Sequence, residues 1–110
     1  MVEIDPNSAA SRAYYAAFHA VSALFLLNDK SFVKHKSIEA AVHRDLVLPG
    51  LWPKDRGADY SYLSRLRGVG DYGGSAYVTP DDASKAVDAA DRIIETIRQM
   101  QPTIFIERDI

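Results

Sequence analysis

Ala13, Tyr14, Ala17, Val21, Leu24 and Phe25 recur at spacings of one, three and four residues. On a helix turning about 100° per residue they gather into one broad apolar face. No Gly or Pro interrupts the run from Ser8 to Leu27, and Asp5-Pro6 stands just ahead of it. An Asp cap followed by Pro in the first turn starts a helix well, because Pro has no N–H to leave unsatisfied there. The polar residues of this run are also grouped. Ser8, Ser11, Arg12, Tyr15, His19 and Ser22 fall within about 100° of arc by the same projection. The stripe reads either as the solvent side of an amphipathic helix or as the wall of a cleft or subunit contact. It holds neither Lys nor Glu, and Arg, Tyr and His make directed hydrogen bonds and favour interfaces.

Three more helices follow by the same pattern. One begins near Lys34–Ser37 and carries Ile38, Ala41, Val42 and Leu46 inward until Pro49-Gly50 stops it. Leu51-Trp52-Pro53 is an apolar connector whose Trp, the chain's single one, is expected to plug one end of the core. The next runs from about Asp55 to Arg67 with Tyr60, Leu63 and Leu66 inward. Gly68, Gly70, Gly73 and Gly74 are expected to break it and to form the most flexible segment. Thr79-Pro80-Asp81-Asp82 opens the last helix with a capping Thr, a first-turn Pro and two carboxylates on the positive end of the dipole. Its seam is predicted at Ala83, Val87, Ala90, Ile94 and Ile97, with Asp81–Lys85 and Asp88–Arg92 as outer i,i+4 pairs. Pro102 ends it, before the short apolar tail Ile104-Phe105-Ile106. The expected architecture is a single all-α domain over residues 1–110, an up-and-down bundle of four main helices with its core at about 7–100.

Composition narrows the function classes. The chain has no cysteine, which excludes disulfides, thiolate ligands and thiol nucleophiles. Arg12 and His19 interrupt the best apolar run well short of the roughly 20 residues a membrane span needs. No basic leader precedes a cleavable apolar stretch, so a cytoplasmic protein without membrane contact is expected. The net charge is −2, and the average field attracts no nucleic acid. The charge is uneven, however: residues 1–70 hold nine Lys/Arg against seven Asp/Glu, and residues 71–110 hold four against eight. Lys30, Lys34, His35, Lys36, His43 and Arg44 form the densest basic cluster, either a solvated face or a local phosphate-binding patch. The glycines after Arg67 lack the Lys-Ser/Thr of a phosphate loop, and no His-Glu-x-x-His occurs. His19, His35 and His43 share no regular spacing, so neither a metal site nor a cofactor is expected.

Arg67 stands beside glycines whose backbone N–H groups are open to a ligand, an arrangement able to hold a phosphate. It reads equally as a cap for helix-end carbonyls or a partner of Asp71, with Tyr72 packed on the bundle end.

The phrase Ser8-Ala-Ala-Ser-Arg-Ala-Tyr-Tyr-Ala-Ala-Phe-His19 resembles the signature helix of the HEPN domain, a small all-helical prokaryotic family. Lys34-His35-Lys36, Arg67-Gly-Val-Gly-Asp71-Tyr72 and Thr79-Pro-Asp-Asp-Ala83 are similar to that family's later segments and fall in its order. The resemblance implies a bundle that pairs into homodimers or higher oligomers. It also implies a minimal nucleotidyltransferase partner in a toxin–antitoxin-like pair, and in many members metal-independent RNase activity. The family's RNase motif is Arg, four to six residues, then His. Here Arg67 matches the Arg, Tyr72 stands where the His would be, and no His follows His43. Many relatives carry a further helix before the signature phrase, so the bundle is expected to be short by one and covered by a partner chain. The polar stripe and the apolar tail point the same way.

Three functions are therefore carried forward. The first is a nucleotide- or RNA-binding component with a degenerate RNase motif. The second is an RNase using Arg67 with Tyr72, or with His19 or His35 as a displaced acid–base group. The third is a non-catalytic oligomeric scaffold. The expected contact joins Arg67, Asp71 and Tyr72 to Arg12, Tyr15 and His19.

Overall fold

A computed structural model describes residues 5–27, 35–72 and 78–100. It contains α1 (Pro6–Leu27), α2 (His35–Ala41) running on into a π-helical segment (Val42–Val47), α3 (Lys54–Tyr72) and α4 (Pro80–Met100). No strand occurs among the described residues. Helix α1 is central: it packs along α4 and α3, which also pack on each other, while α2 and its π segment close the bundle against α1 and α3. The expectations for Lys30, Lys34, Gly73, Gly74 and the tail from Thr103 lie outside the described residues.

The two longest helices, α1 and α4, begin as their sequences dictate. The Asp5 carboxylate accepts the Ser8 N–H at 3.1 Å, just ahead of Pro6. At α4 the cap is reciprocal. Thr79 Oγ1 accepts the Asp82 N–H at 3.0 Å, and Asp82 Oδ2 accepts the Thr79 N–H at 3.2 Å. Two donors that would otherwise lack partners are thereby satisfied at once. Thr79→Ala should lower the unfolding free energy by about 1 kcal/mol, read as a lower midpoint in urea with an unchanged slope.

The core contains every α1 residue of the predicted face, together with Ile38, Val42, Leu46, Trp52, Tyr60, Leu63 and Leu66. Trp52 plugs one end and donates its indole N–H to Met100 Sδ at 3.0 Å, so the α2–α3 connector is fastened to the end of α4.

Four expectations need correction. Helix α3 does not stop at Arg67; it continues through Gly68 and Gly70 to Tyr72. Glycine lowers helix propensity by about 1 kcal/mol but keeps its N–H, so buried Leu63 and Leu66 can carry the helix across it. The second helix is not α-helical throughout. In its π segment the Leu48 N–H bonds to the His43 carbonyl, five residues back, at 2.9 Å. The core seam of α4 is Ala83, Ala86, Ala89, Ala90, Ile93 and Ile97. Val87 is 43% exposed, and with Ile94 it lines a groove against α1. Finally, Arg92 reaches across to α3, placing Nε and Nη2 each 3.0 Å from the Asp59 carboxylate. That charge-assisted fork raises the Arg92 pKa and outcompetes the single-turn pair with Asp88. Asp81–Lys85 does form, at 3.3 Å.

Candidate nucleotide-binding site

The site sits on the edge shared by α1 and α3. Successive residues Tyr14 and Tyr15 point about 100° apart on α1, so one ring enters the core and the other remains half-buried at its rim. Arg67, in the last turns of α3, spans both. Its guanidinium carbon lies 5.5 Å from the Tyr14 ring centroid and 5.6 Å from that of Tyr15. Its Nε–H donates to the Tyr15 hydroxyl at 3.2 Å. A guanidinium laid on aromatic faces is held by cation–π attraction and planar stacking, and a lysine would supply neither the plane nor the fork. Burial raises the Tyr14 pKa, an effect that the nearby Arg67 charge opposes. Burial does the same to Tyr60, more strongly. Both phenols are therefore neutral at neutral pH, and Tyr14 presents an uncharged ring to Arg67.

One turn further along α1 the aromatic edge continues. Phe18 is half-buried and His19 exposed, with ring centroids 5.3 Å apart. His19 lies 6.2 Å from the Tyr15 ring at an interplanar angle of 32°. Tyr15 thus touches Arg67 on one side and His19 on the other. Arg12 does not join them. It sits about 60° round α1 from Tyr15 and lines the α4-facing groove with Ala9, Ala13, Ala16, Val87 and Asp91. Asp71 and Tyr72 belong to the last turn of α3, not to a loop; their side chains, like that of His35, lie outside the description. Neither Tyr14 nor Phe18 stood out in the sequence as a site residue: Tyr14 fell on the apolar face, and Phe18 on neither that face nor the polar stripe.

A second polar cluster ties α2 to α3. Glu39 accepts hydrogen bonds from Ser61 Oγ at 2.9 Å and Ser64 Oγ at 3.2 Å. His43 Nε2 lies 2.8 Å from the same Ser61 oxygen. Since the Ser61 hydrogen points to Glu39, Nε2 carries the hydrogen that closes this contact. Gly57 makes room for the ring: a Cβ there would sit 2.7 Å from Val47 Cγ2 and 3.0 Å from His43 Cε1. The one visible signal for this cluster was the i,i+4 pair Glu39/His43. In the basic cluster, Arg44 is engaged by its neighbour Asp45 at 2.8 and 2.7 Å. Among the described residues no group of three metal-ligating side chains is placed to hold an ion, and no helix is long and apolar enough to cross a membrane.

The family model of the HEPN domain matches residues 3–100. The chain belongs to the HEPN-domain family. A UPF0332 protein of Thermotoga maritima is 33% identical over 94 residues, which cover 86% of this chain and 71% of that one. No solved structure matches. In this HEPN chain the signature helix is α1 itself, and its Tyr-Tyr pair is the surface on which Arg67 rests.

Proposed function

We propose that this HEPN protein is a nucleotide- or RNA-binding component of a two-component, toxin–antitoxin-like system with a minimal nucleotidyltransferase, and that it binds without cleaving. The observation that carries the reading is Arg67, held by the Tyr15 hydroxyl over two tyrosine rings at the α1–α3 edge. A cation held over aromatic rings and by the Tyr15 hydroxyl is pre-organised, so less entropy is lost when a phosphate binds. The non-catalytic part rests on Tyr72, which occupies the place of the family motif's imidazole. The test is equilibrium binding of fluorescein-labelled single-stranded RNA at several salt concentrations. Affinity should fall steeply with salt, with a slope of about −0.7 per phosphate contacted, and the RNA should remain intact. Salt-independent binding, no binding, or cleavage products would each contradict the reading.

The partner side of the proposal is a homodimer built on the α1–α4 groove. Apolar Val87 and Ile94 line it between Arg12 on one wall and Asp91 on the other. One cation and one anion flanking an apolar strip make a self-complementary surface: a two-fold axis sets Arg12 of each protomer against Asp91 of the partner subunit. Sedimentation equilibrium should show a dimer weakened at least about tenfold by Arg12→Asp or Asp91→Arg alone, and largely restored by the double reversal. A monomeric wild type, or a double reversal no better than the singles, would remove this interface.

A further inference from the structure

We infer that the α1 edge beside Arg67 is a stacking platform for an unpaired nucleobase, so that the ligand is single-stranded RNA or a free nucleotide and not a duplex. The inference rests on the binding reading above and adds to it the base, which Arg67 alone cannot recognise. Its ground is the arrangement of three rings. Tyr15 and Phe18 meet edge to face, with centroids 6.2 Å apart and planes at 88°. Phe18 and His19 meet at 64°. Phe18 thus buttresses both neighbours from the side. Tyr15 and His19, one helical turn apart, keep their planes within 32° of each other; Tyr15 is half-buried, as Phe18 is, and His19 is exposed.

Two inclined rings fixed by a third make a rigid surface that loses little side-chain entropy when a base settles on it. Arg67 stands at the Tyr15 end of this surface. The Tyr15 ring, 5.6 Å from the Arg67 guanidinium carbon and 6.2 Å from the His19 ring, thus lies between a phosphate held at Arg67 and a base on His19. Every base has a π-face, so such a platform tolerates any sequence but requires the base to be free of its pair. The solvent face of an ordinary amphipathic helix would carry Lys and Glu at these positions, and this stripe has neither.

The experiment separates phosphate from base. Binding of a fluorescein-labelled single-stranded oligoadenylate is compared with the same strand annealed to its complement. Inorganic polyphosphate, which has charge but no base, serves as competitor. Wild type should prefer the single strand at least about fivefold. His19→Ala and Phe18→Leu should each weaken single-strand binding about fivefold or more, with polyphosphate competition unchanged. His19→Phe should retain affinity, since it keeps the ring and removes the imidazole. Because His19 is exposed, its variants report even where Phe18→Leu perturbs packing. Equal affinity for duplex and single strand, or equal losses in His19→Ala and His19→Phe, would overturn the platform while leaving the phosphate site at Arg67 standing. Failure to bind polyphosphate as well as RNA would overturn both.

Discussion

Trp52→Ala should cost about 3–5 kcal/mol of folding stability, since Trp52 is the largest fully buried side chain among the described residues. The indole is 1% exposed and lies where the α2–α3 connector meets the end of α4. Its neighbours cannot take over its role: Leu48 is 81% exposed and Leu51 59%. The connector is therefore anchored to the bundle chiefly through one ring and its N–H···S contact with Met100. Truncation leaves a cavity lined by rigid helix ends, and the rigidity of those walls limits collapse. A domain of this size has about 5–15 kcal/mol in all, so the variant should melt more than about 10 °C lower. Trp52→Phe should lie between the two, keeping most of the apolar area and losing the polar contact. The check is thermal unfolding followed by far-ultraviolet circular dichroism. A loss below about 1 kcal/mol for Trp52→Ala would show that the ring is not part of the core.

The buried face of α1 was legible because its apolar residues follow one helical period, and all six predicted positions are buried. The seam of α4 was not. Apolar residues occupy positions 83, 86, 87, 89, 90, 93, 94 and 97, and a strict four–three repeat fits either edge of so wide a stripe. Packing chose the edge rich in alanine, which lets α1 approach closely, and left Val87 and Ile94 at the groove. The π segment left no mark, since Ile38, Ala41, Val42 and Leu46 suit an α-helix equally well. The end of α3 was misjudged because propensity alone treats glycine as a stop, whereas burial of Leu63 and Leu66 decides it.

At the site, residue chemistry and the family resemblance together brought Arg67 to Tyr15 across 52 residues. Periodicity could not have done so. Arg12 was grouped with Tyr15 because a projection shows only arc, not which neighbour each side meets; the α4 side claims Arg12. The Glu39–Ser61–His43 chain went unread because its hydrogen bonds join residues 22 and 18 positions apart, with no repeating pattern to announce them.

Arg67→Ala is the second large effect, this time on binding. The guanidinium spans two aromatic faces and one hydroxyl at the rim of the site, so its removal takes away the charge and the fixed geometry together. Charge-assisted hydrogen bonds are worth about 1.5–3 kcal/mol each, so affinity for single-stranded RNA should fall about tenfold to a hundredfold. Arg67→Lys should recover little of this, because an ammonium restores the charge but neither the stacking plane nor the fork. Helicity should be kept in both variants, since Arg67 belongs to the rim and not to the buried core. The decisive measurement is a fluorescence-anisotropy titration of labelled single-stranded RNA with wild type and Arg67→Ala at matched low salt, each checked by circular dichroism. The account predicts a folded variant whose affinity is at least tenfold weaker and whose salt slope is shallower by about one phosphate contact. A folded Arg67→Ala that binds as tightly as wild type would contradict it.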